Sequence, residues 1–462
     1  MLVYFYFSKL LILQFSKYIF YLRKLIIHMK LRRCSVGKCS KNQNECRQAY
    51  GIHKQIQGEM MLPLWNRSFI FLILVSLITA MGFNMVIVMI SKYALEIANS
   101  LTIAGIIAGI FSIAALVTRP FAGLAADKFN KKSLCIIANI LIGVTVVGYV
   151  FSSNIQLLFF FRILHGVAFG ISSTANIVLV TGYIPKDRLG EGIGYYGLGQ
   201  VMAQVIGPNL GVYIADKWSF QWLFTVIALL TFLAAGMLIF LQYPQKCETK
   251  TREKVKITLG SLVAKEAIVY AVIGGMFSFG NGIVSSFLIL LGQERNIPNI
   301  GLFYSVGAVV LFALRLFIGR IADRKGLTLV VNISLAVSAV SMVLIGVAPV
   351  LGFLIAASVL KSIGQGGGQI SLQAECIKRV EKGRIGLATS TFFIGADIGQ
   401  GVGPMIGGVI SSSFNYMVMY LACAVLMLVS MVFFNIYQKR IGYHANTGGQ
   451  IILTDEQIDG VN

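Results

Sequence analysis

RPFAGLAADKFNKK, residues 119–132, decides the fold, because a second copy, RLFIGRIADRKGLT, stands at residues 315–328. A shift of 196 positions places Arg119 on Arg315 and continues to match residues far downstream. Pairs related by this shift include Asp127 and Asp323, Gly123 and Gly319, Gln204 and Gln400, Gly207 and Gly403, and Pro208 and Pro404. The chain therefore consists of two homologous halves, and a duplicated unit of apolar helices is typical of transporters built from repeats.

Composition places both halves in a lipid bilayer. The 462 residues are 56% hydrophobic and 12% charged, with a mean hydropathy of +0.79, so the polar surface is too small to cover the chain in water. The sequence predicts an all-α polytopic membrane protein with twelve transmembrane helices in two six-helix bundles. The predicted spans are 69–89, 103–125, 134–151, 157–183, 193–214, 222–241, 267–291, 302–322, 329–347, 353–374, 387–410 and 417–434.

The division into parts follows from these spans. We expect an N-terminal bundle at 61–242, a linker at 243–264, a C-terminal bundle at 265–438 and a polar, flexible tail at 439–462. Residues 1–60 lie outside the pattern, because lysines and arginines interrupt their apolar stretch and no signal-peptide cleavage site follows. We expect this extension to be foreign to the natural product, which would begin at Met60 or Met61.

The formal net charge of +21 predicts a topology rather than a nucleic-acid partner. The basic residues concentrate in alternate loops, after predicted helices 2, 4, 8, 10 and 12 and in the middle linker. Short basic loops stay on the cytoplasmic side. We therefore expect a multi-pass protein of the cell (plasma) membrane, of the bacterial inner-membrane kind, with both termini cytoplasmic.

The repeated motif carries a family resemblance. Gly123, Asp127 and Lys131 resemble the loop 2–3 signature of the major facilitator superfamily, with departures at Ala125 and Asn130. The resemblance implies a gate in which the acid docks near the start of helix 11, where the helix dipole favours an anion. The candidate gating residues of both copies are Arg119, Gly123, Asp127, Lys131, Arg315, Gly319, Asp323 and Arg324.

Predicted helix 4 carries a charge inside the membrane. Arg162, with His165 and Gly166, resembles the superfamily's helix 4 motif, although His165 stands where Gln is usual. A guanidinium at this depth costs at least a few kcal/mol unless it meets water or an acid. We expect a dedicated partner or an aqueous cavity, and a purely structural ion pair is the alternative. The shift of 196 also relates His165 to Lys361, so both halves place a base at one depth.

Glycine and proline strings recur in predicted helices 5 and 11. The helix 5 string resembles the superfamily's antiporter motif, which implies export, and helix 11 has the complete string. Glycines allow close helix packing, and proline frees a carbonyl so that a helix can bend. The candidate helix-bending residues are Gly207, Pro208, Gly211, Gly403, Pro404 and Gly407.

Asp397 lies near the middle of predicted helix 11, where burial favours the neutral carboxylic acid. We predict that it carries a proton and acts with Arg162 in coupling. A static pair with Arg162 or Lys361, or the binding of a cationic substrate, remains open. Polar residues in other spans are candidates for the substrate cavity, with packing between helices as the alternative. They are Asn84, His165, Gln204, Lys361, Gln365 and Gln400.

The sequence offers no residues for enzymology. It contains no phosphate-binding loop, no zinc pair and no nucleophile elbow, so we expect no catalysis, no cofactor and no metal. The prediction is a monomeric secondary transporter whose partners are a small-molecule substrate, protons and the bilayer, and which resembles proton-coupled multidrug exporters. An importer of a sugar or organic ion, an exporter of an endogenous metabolite or metal chelate, and a non-transporting membrane sensor are the alternatives.

Overall fold

The computed structural model describes residues 65–185, 189–241, 263–315, 317–380 and 385–446. All of them belong to one compact unit. The expectation that residues 1–60 are foreign lies outside these ranges, and so does most of the predicted linker 243–264. The described end of that linker packs into the protein, because Ala264 is buried and its backbone N–H donates to Thr391 Oγ1 at 2.9 Å.

The described chain folds as twelve long helical stretches, of which the eighth has two segments on either side of residue 316. A short 3₁₀ turn, Lys265–Ala267, precedes the seventh. The helices are α1 Arg67–Ala98, α2 Leu101–Lys128, α3 Lys131–Val150, α4 Ile155–Thr181, α5 Leu189–Lys217, α6 Phe220–Phe240, α7 Ile268–Glu294, α8a Leu302–Arg315, α8b Ile318–Lys325, α9 Leu327–Val347, α10 Leu351–Lys378, α11 Ile385–Ser413 and α12 Tyr416–Asn446.

Polar residues at the helix ends set the short turns. Asn99 ends α1 in a left-handed conformation, and the Ser100 hydroxyl accepts from the backbone of α2. Asn130 caps α3 in the same way by accepting from two backbone N–H groups. Such caps satisfy donors that a helix start leaves free. Because the turns at Asn99 and Asn130 are short, α1, α2 and α3 run antiparallel to one another. We call the two ends of the bundle the Asn99 end and the Asn130 end after these turns.

The helix contacts repeat with a period of six. In the first half α1 packs on α5, α2 on α4, and α3 on both α4 and α6. In the second half α7 packs on α11, α8a on α10, and α9 on both α10 and α12. Between the halves α2 packs on α11 and α8a on α5, which are the same contact under exchange of the halves. This pattern is what two copies related by a near two-fold rotation produce.

The outer surface of the bundle is apolar. Among the described residues, nine helices are long and apolar enough to cross a bilayer, and α8a is a shorter apolar helix. Val425, Val429 and Val432 are more than half exposed along one face of α12, as expected for a surface that faces lipid. The α5 and α10 helices fall outside the nine, since glycines and amide side chains lower their hydropathy.

Two predicted helix boundaries are wrong. The α1 helix was expected over 69–89 and extends to Ala98, and α12 was expected to end at residue 434 and continues to Asn446. The α12 extension occupies the first part of the stretch expected to be a flexible tail. Hydropathy marks the part of a helix that suits lipid, whereas backbone hydrogen bonding continues through polar residues until a cap or a break.

Candidate functional site

A seam of small residues joins α2 of the first half to α11 of the second. A methyl group at Gly105 would collide with the carbonyl oxygen of Pro404, and one at Gly109 would collide with that of Gly401. The two backbones therefore touch at the Asn99 end, which glycine permits because it has no side chain. Asn209 on α5 donates to Ser305 on α8a at 2.6 Å, so the symmetry-related seam is also in contact near this end.

An ion pair lies on the α2–α11 seam, beyond the glycines in the direction of the Asn130 end. Arg119 Nε is 2.5 Å from Asp397 Oδ2, and a terminal guanidinium nitrogen of Arg119 donates to Asp397 Oδ1 at 3.2 Å. The shorter contact is charge attraction without hydrogen-bond alignment. The two side chains are 26% and 16% exposed, so the pair is shielded from most solvent and joins one half to the other.

The direction of side chains in a helix explains how these residues meet. Side chains lean towards the start of their own helix. Arg119 on α2 therefore leans towards the Asn99 end, and Asp397 on the antiparallel α11 leans towards the Asn130 end. The guanidinium also lies over the Phe393 ring, with its carbon 5.8 Å from the ring centroid. Asp397 is twelve residues from Ile385, about 18 Å along the axis of α11.

The structure overturns the pairing of Asp397 with Arg162 or Lys361 that the sequence left open. Arg162 lies inside the first half and is 1% exposed. Its Nε donates to the carbonyl of Ile107 at 3.1 Å, and its guanidinium carbon lies 4.4 Å from the centre of the Phe111 ring. The expected partner exists, but it consists of main-chain oxygens and an aromatic ring rather than an acid.

His165 completes this buried network. Its Nδ1 lies 2.8 Å from the hydroxyl of Tyr149, which is also hydrogen-bonded to Arg162. The ring of His165 packs edge-on against Phe111. The network ties α2, α3 and α4 together within one half, so His165 is part of the packing of the first half.

Replacing Arg162 by Met should destabilise the fold and leave the Arg119–Asp397 pair intact in the folded fraction. The change removes the hydrogen bonds of Arg162 to the buried Ile107 carbonyl and the Tyr149 hydroxyl, which costs about 2–4 kcal/mol. Thermal unfolding of the purified protein checks the loss, with Arg67→Met at an exposed helix start as the matched control. An unchanged unfolding temperature in Arg162→Met would contradict this structural role.

Of the candidate cavity residues, the structure brings three together in the second half. Lys361 Nζ donates to Gln365 at 2.9 Å and to Asn281 at 2.8 Å. Asn281 in turn donates to Gln400 at 3.1 Å. Sequence reasoning missed Asn281, although Ser278, Asn281 and Ser285 form a polar stripe at helical spacing that marks this face of α7.

The other candidate cavity residues lie apart from this group. Asn84 donates to the carbonyl of Ala80 on its own helix at 2.8 Å and packs against Gly207 of α5. Gln204 is half-buried on α5. The alternative of packing between helices therefore describes Asn84 in this conformation.

The candidate gating residues divide into two groups. Arg119 forms the ion pair with Asp397, and Gly123 has open space around its Cα. Arg315 is exposed at the end of α8a, and its guanidinium lies near Gly197 of α5. Lys131 is half-buried at the start of α3. The surroundings of the remaining candidates lie outside the described side chains; these are Asp127, Gly319, Asp323 and Arg324.

The glycine strings serve close packing. Gly207 and Gly211 pack against α1, and Gly403 and Gly407 pack against α7. Because Gly401 and Gly408 lie on the opposite side of α11 against α2, this helix contacts both halves through small residues. Bending at Pro208 and Pro404 stays a prediction.

The family follows from a comparison over most of the chain. The family model described as Major Facilitator Superfamily matches residues 72–348 and 270–449. The chain belongs to this superfamily. Its fold agrees, because the crystal structure of the nucleoside transporter NupG (D323A mutant) has a TM-score of 0.71 at 13% identity, over 80% of this chain and 99% of that one.

Curated relatives of this superfamily member include exporters. The staphylopine export protein of Staphylococcus aureus is 25% identical over 72% of this chain and 86% of its own length. The multi-drug resistance efflux pump PmrA of Streptococcus pneumoniae is 32% identical over 136 residues, which are 29% of this chain and 34% of PmrA. The match thus spans about a third of PmrA. The superfamily member is a multi-pass membrane transporter, and its relatives and fold neighbours are transporters rather than enzymes.

Metal binding by this superfamily member has no visible candidate. The described residues contain no group of three or more histidine, cysteine or acidic side chains placed to hold an ion. The charged groups described at the seam are the Asp397 carboxylate and the Arg119 guanidinium that pairs with it.

Proposed function

We propose that this chain is a proton-coupled exporter of small molecules, with Asp397 as the proton carrier. The observation that carries the proposal is the Arg119–Asp397 pair, because it joins the two halves that must move apart in alternating access. Relatives named as efflux and export proteins support the direction of transport.

Protonation of Asp397 would weaken the seam. The ionised carboxylate attracts Arg119, and the neutral acid does not, so only the ionised form holds α2 against α11. For an ion pair that is shielded from most solvent, the difference between the ionised and the neutral state is about 2–3 kcal/mol. A bias of that size changes the ratio of two conformations roughly 30- to 150-fold.

The Arg119–Asp397 pair would also couple the movement of substrate to the movement of protons. When Asp397 is ionised and the site is empty, the ion pair stabilises the conformation in contact at the Asn99 end. A proton on Asp397 releases the pair, and so does a substrate that separates Arg119 from Asp397. The carrier therefore changes conformation when it has bound either a proton or a substrate. Because each ligand crosses in a separate step, protons and substrate move in opposite directions. A symporter requires the opposite behaviour: the carrier must not change conformation when it binds a proton without substrate.

The orientation follows the basic loops. Lys131 and Lys132 at the start of α3 and Lys325 at the end of α8b lie at the Asn130 end, which we assign to the cytoplasm. In the described conformation the two halves therefore touch at the Asn99 end, which is the extracellular side under this orientation. We assign the protein to the plasma membrane, as a monomer.

Transport in proteoliposomes tests this function and requires neither an identified substrate nor a uniform orientation of the inserted protein. A panel of fluorescent cationic, neutral and anionic compounds is offered to vesicles with the interior acidic or the exterior acidic. An antiporter concentrates its substrate when the interior is acidic, and a symporter does so when the exterior is acidic. We expect accumulation in acid-inside vesicles that a protonophore abolishes. Accumulation only in acid-outside vesicles, or accumulation that ignores the gradient, would refute export by proton exchange.

A further inference from the structure

A second partly buried charge lies in the C-terminal half, and the proposed exchange mechanism does not use it. Lys361 is half-buried on α10. Its Nζ donates to Asn281 Oδ1 on α7 at 2.8 Å and to Gln365 Oε1 at 2.9 Å. An ammonium group has three N–H donors, so two are committed to amide oxygens and one remains.

Two arms of amide groups radiate from Lys361. In the first arm Gln365 donates to Gln369 at 3.2 Å, and Gln369 donates to Ser278 at 2.7 Å. In the second arm Asn281 donates to Gln400 at 3.1 Å, and Gln400 donates to Ser285 at 3.4 Å. Both arms end on serines of α7.

The lysine fixes the direction of both arms. Because an ammonium group only donates hydrogen bonds, the neighbouring amide oxygens must face it and their NH₂ groups must point away. Every amide along the arms repeats that order, with its oxygen towards the lysine. The arms therefore hold Nζ in place with neutral dipoles and bring no negative charge to it.

The charge of Lys361 consequently has no counter-ion in the described part of the protein. No described carboxylate lies within 4.0 Å of Nζ, and Asp397 on the adjacent helix is paired with Arg119. A cation inside the membrane without an acid is unfavourable by several kcal/mol. A bound anion removes that penalty, whereas a bound cation increases it.

We propose that Lys361 binds the carboxylate of a small organic anion, and that this anion is the transported substrate. The third N–H of Nζ donates to the carboxylate, while Asn281 and Gln365 orient the ammonium group. This inference rests on the proposed transport function and adds to it the chemical class of the substrate. It favours organic acids over the cationic compounds that an ionised Asp397 alone would suggest.

Ligand-induced stabilisation of the full chain in detergent tests the site in the absence of any gradient. The probes are citrate, N-acetylated amino acids and aromatic carboxylic acids, each compared with its neutral amide at the same concentration. We expect at least one acid to raise the unfolding temperature saturably, with at least tenfold weaker binding by its amide. This comparison uses only the wild-type protein.

Variants then assign the effect to the lysine. Lys361→Met removes the charge and should weaken binding of the effective acid at least tenfold, and Lys361→Arg should retain most of the binding. Lys217→Met is the matched control, because Lys217 is exposed at the end of α5. If Lys361→Met does not fold, the arginine variant decides the question, because intact folding with lost binding in Lys361→Arg would also refute the proposal.

Three further outcomes overturn the assignment. They are equal stabilisation by acids and amides, no stabilisation by any acid in the panel, and a saturable effect of chloride or phosphate alone that equals that of the organic acids. A failure of gradient-driven flux with carboxylate binding intact would refute the exchange mechanism and leave this site standing, so the two proposals fail separately.

Discussion

Asp397→Asn should lower the initial rate of substrate accumulation driven by a pH gradient at least tenfold, while downhill movement of the same substrate continues. Asparagine has the size of aspartate but neither ionises nor carries a proton. The Arg119–Asp397 attraction is then absent at every pH, and the empty carrier no longer needs a proton to change conformation. The expected result is transport without coupling.

The measurement uses a panel compound that wild-type protein accumulates in acid-inside vesicles. Uptake is followed with the gradient imposed, and exchange is followed without it. Asp216→Asn is the matched control, because Asp216 pairs with Lys92 at 2.8 Å within the first half and its side chain is 52% exposed. That control should accumulate substrate at close to the wild-type rate.

The partner residue sharpens this experiment. Arg119→Gln also removes the pair but leaves a carboxylate that titrates, so it should lose tight coupling while its exchange rate still depends on pH. The double variant should resemble Asp397→Asn, since the two residues act on the same contact. Accumulation at the normal rate in Asp397→Asn would contradict the assignment of Asp397 as the proton carrier.

Gly109→Leu should prevent the halves from closing at the Asn99 end and lower transport at least tenfold. Even a methyl group at this position would collide with the carbonyl oxygen of Gly401 and would lie 2.8 Å from Met405 Cγ. A leucine side chain therefore separates α2 from α11, and the overpacking penalty of about 1–3 kcal/mol or more falls on this conformation alone. The equilibrium should shift to the opposite state.

Cysteine labelling measures that shift. With the native cysteines replaced, a cysteine at Thr102 reports access to the Asn99 end, because the Thr102 hydroxyl lies 3.5 Å from the Gly408 carbonyl in the closed seam. We expect maleimide to react at least tenfold faster in Gly109→Leu. Gly236→Leu is the control, since nothing lies within 4 Å of the position that its first side-chain carbon would occupy. Equal labelling in both variants would show that the seam does not open.

The sequence predicts the fold well because its main signals are long-range repetition and hydropathy. The shift of 196 positions and the apolar periods lead directly to twelve helices in two related halves, and the helix contacts repeat accordingly. The ends of α1 and α12 were missed, because neither signal reports where backbone hydrogen bonding stops.

The sequence does not predict which groups the charged side chains inside the bundle contact. Arg162 was expected to meet an acid or water, and its partners are backbone carbonyls, which every residue carries and which no sequence pattern distinguishes. Asp397 had two candidate partners and pairs with neither, because the choice depends on the register of α2 against α11. That register is set by the contacts of Gly105 and Gly109 with α11. One amino-acid sequence does not show which residues of another helix a glycine will contact.

His165 and Lys361 occupy equivalent positions in the two copies, yet their surroundings have diverged. One is enclosed by aromatic rings of its own copy, and the other is left with a positive charge and neutral neighbours. The first copy of the repeated unit thus satisfies its own buried polar groups, whereas the second copy leaves one ammonium donor and a positive charge available. Under the proposed carboxylate site, the two copies divide stability and recognition of the transported molecule between them.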